Sequence, residues 1–282
     1  MLELDPQTKY LAVLGSPIKQ TLSPLIQNHW FKQNKMNCAY LALEVASKDL
    51  KVAVEALRAF NFVGFNLTVP LKTEVLPYLN FIDKAAKTIG GVNTVAVRDG
   101  KLYGYNTDYL GLDADLKSKN ILAKGKNVFI YGAGGAARSV IYVCRKQGAK
   151  NIFIANRTYK KAANLANKFH IQAIDRNETE RYLESSDIIF NASSCGLNTA
   201  DFLPFDINQI KKTAFIYDLI CLPRTPFVRL AKKRHLKFDT GEGMLVYQGA
   251  EAFKIWFGIL PDIKGAKKLI KVKQGPSLAG VV

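Results

Sequence analysis

The chain contains no C-x-x-C pair. Its four cysteines, Cys38, Cys144, Cys195 and Cys221, stand far apart, and none of its three histidines lies at ligand spacing from them. That argues against a zinc site or a disulfide framework and makes a reducing cytoplasm the expected compartment. No run of about 18 apolar residues occurs, so no membrane span is expected. The opening MLELDPQTKY has neither a basic start nor an apolar core, so no secretory leader is expected. Blocks of five or six like charges are missing too, although Lys+Arg outnumber Asp+Glu by 40 to 23, a net +17. The basic residues stand in small groups, such as Lys160-Lys161, Lys211-Lys212, Lys232-Lys233-Arg234 and Lys267-Lys268. Dispersed charge of this kind reads as a solvated surface suited to anionic small ligands, and no nucleic-acid partner is expected. What is present is an ordinary globular balance, 48 % hydrophobic and 22 % charged, in 282 residues, a length for about two domains.

Short apolar runs alternate with helical patterns in the first half. Tyr10–Leu14, Ala39–Val45 and Val63–Val69 read as strands, and Leu22–Gln33 and Asp49–Phe60 as helices, with Pro24 tolerated at a helix start. Val92–Val97 and Leu102–Tyr105 flank Asp99-Gly100, a hairpin signal. Parallel crossovers plus a hairpin predict a mixed sheet. From Lys126 the alternation is more regular. Strands are expected at Asn127–Tyr131, Asn151–Ala155, Ile171–Ile174, Asp187–Asn191, Ala214–Leu219 and Leu236–Asp239. Helices are expected at Ala136–Gln147, Lys160–Phe169 and Pro226–His235. Six strands with helices between them describe a doubly wound nucleotide-binding domain. Met244–Phe257 reads as a strong amphipathic helix and Lys271–Val282 as a frayed tail.

Gly132-Ala133-Gly134-Gly135-Ala136-Ala137 fits G-x-G-x-x-[G/A], directly after one of those strands and opening one of those helices. Gly132 permits the tight turn, Gly134 leaves room for a pyrophosphate, and Ala137 lets helix and strand pack closely. The next strand ends in Asn156-Arg157-Thr158-Tyr159-Lys160-Lys161, with no acid to hold a ribose 2′-hydroxyl. Arg157 can clamp a 2′-phosphate, Lys160 or Lys161 can add a point charge, and Thr158 can cap the following helix. NADP is therefore the expected cofactor. Three segments at expected strand ends, Ser16–Pro24, Asn66–Lys72 and Gly91–Thr94 with Asn106–Asp108, present hydroxyl, amide and single charged groups. They suit a small polyhydroxylated substrate.

NLTVPLK at 66–72, GVNT at 91–94, NTD at 106–108, GAGGAA at 132–137, NRT at 156–158, NASSCG at 191–196 and GMLVYQ at 243–248 occur in this order. Together they make the chain resemble the shikimate dehydrogenase family, over about nine-tenths of its length. The resemblance implies NADPH-dependent reduction of 3-dehydroshikimate to shikimate, on the route to aromatic amino acids. It also implies an α/β architecture: a mixed-sheet substrate domain (1–107, with 241–282 packing back on it) and a Rossmann NADP-binding domain (108–240). Lys72 and Asp108 fall on the family's catalytic pair. Thr21, Ser23, Asn66, Thr68, Asn93 and Gln248 fall on its substrate contacts. The glycine loop 132–137, Asn156, Arg157, Thr158, Lys161, Asn191, Ser193, Gly243 and Met244 fall on its cofactor contacts, and no metal is implied. An ammonium beside a developing alkoxide stabilises the charge and supplies a proton, which makes the pair chemically apt.

Three departures stand out. Thr21 replaces the family's usual serine, keeping a hydroxyl and adding a methyl. The loop Tyr217–Pro226 lacks the family's tyrosine near Cys221 and is one residue short before Thr225-Pro226. Tyr109 follows Asp108 where a small residue is more usual. The first two leave open a quinate/shikimate dehydrogenase with relaxed substrate or cofactor choice. An alternative of a different class is a catalytically silent dinucleotide-binding relative, against which the retention of both Lys72 and Asp108 argues. The expected assembly is a monomer or homodimer. Cys195 has no histidine near it in sequence to activate it and is not expected to be a nucleophile. His29 reads as a packed residue, and His170 and His235 as helix-end cations.

Overall fold

The computed structural model describes residues 4–197, 205–221 and 225–274. In chain order the first elements are β1 (Lys9–Gly15), α1 (Ser23–Gln33), β2 (Cys38–Glu44), α2 (Leu50–Ala59), β3 (Gly64–Leu67), β4 (Phe81–Ile82), α3 (Lys84–Ile89), β5 (Thr94–Arg98), β6 (Lys101–Tyr105) and α4 (Asp108–Ser118). There follow β7 (Asn127–Tyr131), α5 (Gly135–Lys146), β8 (Asn151–Ala155), α6 (Tyr159–Phe169), β9 (Gln172–Ala173), α7 (Thr179–Ser185), β10 (Ile188–Asn191), β11 (Phe215–Asp218), α8 (Pro226–Lys233), β12 (Lys237–Thr240), α9 (Glu242–Phe257) and α10 (Ile263–Gln274). The chain divides into two compact units, residues 1–111 with 245–270 and residues 112–244 with 271–282.

The first unit is built on a six-stranded sheet in the order β2-β1-β3-β5-β6-β4. β1 pairs in parallel with both β2 and β3, whereas β5 runs antiparallel to β3 and β6. β1 is apolar on both faces, as a central strand covered on each side must be. Leu11 and Val13 pack with Ile26, Trp30 and Phe31 of α1, Val246, Ala250 and Phe253 of α9, and Ala266 and Ile270 of α10. Ala12 and Leu14 pack on the opposite face with Leu50, Val54 and Leu57 of α2. Because β5 reverses against β3, Asn66 at the end of β3 pairs with Thr94 at the start of β5. Thr94 in turn pairs with Tyr105 at the end of β6. Three polar loops therefore open at one edge of the sheet.

The second unit is a six-stranded parallel sheet in the order β12-β11-β10-β7-β8-β9. Numbered from its own first strand, this is 3-2-1-4-5-6, the dinucleotide-binding order with its reversal between β7 and β10. Phe129, Ile189 and Ile216 from the central strands pack with Phe227 and Ala231 of α8. Among the described residues no helix is long and apolar enough to cross a membrane. No cluster of three or more His, Cys, Asp or Glu among them could hold a metal ion.

The C-terminal segment differs from expectation. Lys271–Gln274, read as the start of a tail, form the last turn of α10, and residues 275–282 lie outside the described set. Ala266 and Ile270 are fully buried and the Trp30 indole donates to the Asp262 carbonyl at 2.8 Å. Those contacts hold a helix whose own apolar stripe is narrow.

Candidate active site

At the polar edge of the first sheet, the Lys72 ammonium donates to Asp108 Oδ2 at 2.6 Å. Lys72 lies in the loop after β3, and Asp108 is the first residue of α4. The aspartate side chain is 6 % exposed and the lysine 15 %, so the pair is desolvated yet open on the lysine side. The second carboxylate oxygen, Oδ1, accepts the Asn93 amide at 2.8 Å. Both carboxylate oxygens are thus tied, which fixes the direction in which Asp108 holds Lys72.

Asn93 is engaged on all sides. Its Oδ1 accepts the Thr107 backbone N–H at 2.6 Å. Its Nδ2 also faces Thr107 Oγ1 at 3.0 Å and Gln248 Oε1 at 3.3 Å. Gln248 in turn donates to the Leu245 carbonyl in α9. Asn66 donates to the Asn93 carbonyl and to Thr94 Oγ1, both at 2.9 Å. The structure therefore joins Lys72, Asp108, Asn66, Asn93 and Gln248 in one network. Thr68 follows β3, and its N–H donates to the Leu14 carbonyl at 2.8 Å. Thr21 and Ser23 sit at the start of α1, where the Ser23 N–H donates to Thr21 Oγ1 at 3.3 Å. Tyr40, Thr94 and Thr107, which sequence reasoning did not single out, complete the network. Thr94 and Thr107 lie inside the quoted motifs, whereas nothing in the sequence flags Tyr40.

The glycine loop of the second unit leaves β7 and enters α5 at Gly135. Gly132 has φ +116, and a Cβ there would lie 2.6 Å from the Ala192 carbonyl group. Only glycine fits that turn. Gly134 is different: nothing lies within 4 Å of the position its Cβ would take. The backbone at the start of α5 is therefore open to an approaching anion, beside N–H groups that have no partner within the helix. Ala137, fully buried, lets α5 settle on the sheet. These features fit a dinucleotide pyrophosphate. Ala133 and Ala136 lie within the same loop and first turn.

Arg157 and Lys161 are exposed at the end of β8 and on α6, free to meet a phosphate. Thr158 occupies the N-cap of α6, but its side chain makes no capping bond. The Asn156 amide donates to the Thr158 carbonyl instead, at 3.0 Å, and orders the loop. Asn191 is fully buried. It donates to Asp218 Oδ1 at 2.9 Å and accepts from the Ser193 hydroxyl at 2.7 Å. It builds the turn after β10. Asp218 also accepts from Thr225 Oγ1 at 2.6 Å, and Thr225 caps α8. Burial pushes the Asp218 carboxyl up to about 6 despite the hydrogen bonds from Thr225, Ile220 and Asn191. Gly243 lies directly against the Asp115 carboxylate, where no Cβ fits, and Met244 is buried beside it. Burial raises the Cys221 thiol to about 12. In the loop after it, residues 222–224 lie outside the described set. The Tyr109 N–H donates to Asn106 Oδ1 at 3.3 Å.

A doubly wound dinucleotide-binding unit, joined in one chain to a mixed-sheet unit carrying a desolvated Lys–Asp pair, defines the general class. Residues 13–95 match the family model "Shikimate dehydrogenase substrate binding domain". Residues 115–224 match "Shikimate / quinate 5-dehydrogenase", and residues 241–271 "Shikimate 5'-dehydrogenase C-terminal domain". The shikimate dehydrogenase (NADP(+)) of Aquifex aeolicus is 39 % identical over 272 residues, covering 96 % of this chain and 100 % of the relative. That of Methanocaldococcus jannaschii is 39 % identical over 95 % of this chain and 98 % of its own. The crystal structure of shikimate dehydrogenase from Aquifex aeolicus superimposes with TM-score 0.90 at 38 % identity, covering 95 % of this chain and 100 % of the other. The Thermus thermophilus shikimate 5-dehydrogenase in complex with NADP(H) and shikimate gives TM-score 0.85 at 33 % identity, over 94 % of this chain and 99 % of the other. This chain belongs to the shikimate dehydrogenase family.

Proposed function

We propose that the protein is an NADP-dependent shikimate dehydrogenase that interconverts 3-dehydroshikimate and shikimate by hydride transfer. Relatives that match nearly end to end carry this name, and the Rossmann order with its open Gly134 supports the cofactor. NADPH, when bound, supplies the hydride. The observation that carries the chemistry is the 2.6 Å Lys72–Asp108 contact at the sheet edge. In the reductive direction the Lys72 ammonium stabilises the oxygen on which negative charge develops and releases a proton from Nζ to it. In the oxidative direction Nζ takes that proton back. Asp108 aims the lysine, and Asn93 holds the carboxylate by its other oxygen.

The substrate-binding domain is proposed to be residues 1–107 with 241–282, and the Rossmann NADP-binding domain residues 108–240. Thr21, Ser23, Asn66, Thr68, Asn93 and Gln248 are proposed to meet the substrate. The loop 132–137, Asn156, Arg157, Thr158, Lys161, Asn191, Ser193, Gly243 and Met244 would hold the dinucleotide. The amides of Asn93 and Asn191 are also bonded within the protein, which would hold them in place for those contacts. A cytoplasmic monomer or homodimer is proposed, in keeping with four free thiols. The test is Lys72→Ala. It is expected to lower kcat by about 10²–10⁴-fold with a much smaller change in KM. An unchanged kcat would remove Lys72 from the mechanism.

A further inference from the structure

We infer that Arg176 is a second cation of the proposed NADP site, sharing the adenosine 2′-phosphate with Arg157 and adding to the discrimination against NAD. This inference rests on the function proposed above. Arg176 lies outside the segment 156–161 and outside every motif that carries the family resemblance, and the fold brings it to that segment. β8 and β9 pair in parallel, with Phe153 opposite Gln172 and Ile154 opposite Ala173. One step further on, the Ile174 N–H donates to the Ile154 carbonyl at 2.8 Å. Both chains then leave the sheet at its carboxyl edge, Arg157 three residues past Ile154 and Arg176 three residues past Ala173. Neighbouring strands lie about 4.8 Å apart, so the two arginines come off adjacent strands at the same level.

The Tyr131 hydroxyl shows where the two side chains go. Tyr131 ends β7, opposite Ala155 of β8 on one side and Asn191 of β10 on the other. It stands where the strand order reverses, directly before the glycine loop. Burial and the Cys195 sulfur push the ionisation of its phenol up to about 12, and the charges of Arg176 and Arg157 both draw it back. Guanidinium groups from two separate strands therefore act on one hydroxyl at the start of the glycine turn.

Both arginines are exposed, and neither forms an ion pair with a carboxylate among the described residues. Asp175, next to Arg176 in the chain, accepts the Asn177 N–H at 3.1 Å and caps a short turn. Two cations held near each other without a carboxylate repel. A phosphate between them removes the repulsion and can take a bidentate contact from each planar fork. A bare 2′-hydroxyl carries no charge to offer a second cation. Water and salt screen each exposed contact, so two arginines discriminate better than one.

The test is Arg176→Ala, with Arg176→Lys beside it. Binding of adenosine 2′,5′-bisphosphate and of adenosine 5′-monophosphate is measured by calorimetry, and KM for NADP and for NAD by initial rates with shikimate. Arg176→Ala should raise Kd for the bisphosphate and KM for NADP by about 5- to 20-fold, the worth of a charge-assisted contact at an exposed site. Kd for the monophosphate and KM for NAD should change less than twofold, and Tm should hold because the side chain is exposed. Arg176→Lys should recover part of the loss, since it keeps the charge without the fork. Unchanged bisphosphate affinity in the alanine variant overturns the inference. An equal loss with the monophosphate also overturns it, by placing Arg176 on the adenine instead. A wild type that does not prefer the bisphosphate overturns the proposed cofactor, and this inference with it.

Discussion

Arg157, exposed after β8 with no carboxylate in the segment 156–161, is the side chain proposed to distinguish NADP from NAD. A charge-assisted bidentate contact to a 2′-phosphate contributes about 1.5–3 kcal/mol, and a bare 2′-hydroxyl cannot use it fully. Arg157→Ala should therefore raise KM for NADP by roughly 10- to 100-fold and change KM for NAD much less, as read by steady-state rates with both. At this scale the sequence was informative where residue type and immediate context decide. Lys72 after NLTVP, Asp108 in NTD and the glycines before α5 are such cases. It was silent where a role depends on register across strands. Tyr40 reaches Asn66 over β1, and the Asn93 amide nitrogen faces Thr107, Asp108 and Gln248. Neither fact has a local signature. The capping role expected of Thr158 failed because the turn is ordered by Asn156 instead.

Two glycines of one loop do different work in the β7–α5 element. Gly132→Ala places a Cβ against the Ala192 carbonyl at a positive φ. It should lower Tm by several degrees, through both strain and displacement of the turn after β10. Gly134→Ala meets nothing in the protein, so Tm should hold while KM for NADP rises, because the added methyl lies where the pyrophosphate approaches. Thermal melts and initial rates on the two variants separate the roles. The junction of β10, β11 and α8 carries its own test. Asp218 titrates near 6 when folded, against about 4 in an unfolded chain. The native state thus binds the extra proton between about pH 4 and 6, and stability is lost as pH rises through that window. Asp218→Asn, which can keep the bond to Thr225, should gain stability relative to wild type on going from pH 4.5 to 7.5. The gain should be about 2 kcal/mol, and parallel stability curves would contradict this.

Elements were legible in proportion to their own periodicity. β7 and β8 fall on the expected residues and β1 and β2 within one, since buried strands bounded by turn residues declare themselves. β4, with two residues, and α7, which buries only Thr179 and Leu183, carry too little pattern to be read. α10 was missed because lysines fill most of its surface and its helical state depends on packing against α1 and α9.

Across the whole molecule, the net charge of +17 is carried by dispersed groups, and both of the proposed ligands are anionic. The two units have separate cores and separate sheets, one mixed and one parallel. The mixed sheet presents the Lys72–Asp108 pair, and the parallel sheet presents the glycine turn. The family follows from the match of both units. Cofactor choice and substrate choice are proposed to depend on Arg157 and on the polar residues that include Thr21 and Asn66. The measurement that tests this directly is kcat/KM for shikimate and for quinate, each with NADP and with NAD, in one buffer at one salt concentration. The account predicts that shikimate with NADP is the best pair, exceeding shikimate with NAD by about tenfold or more, the equivalent of one charge-assisted bond. Equal or better rates with NAD, or no NADP reduction with shikimate, would contradict it.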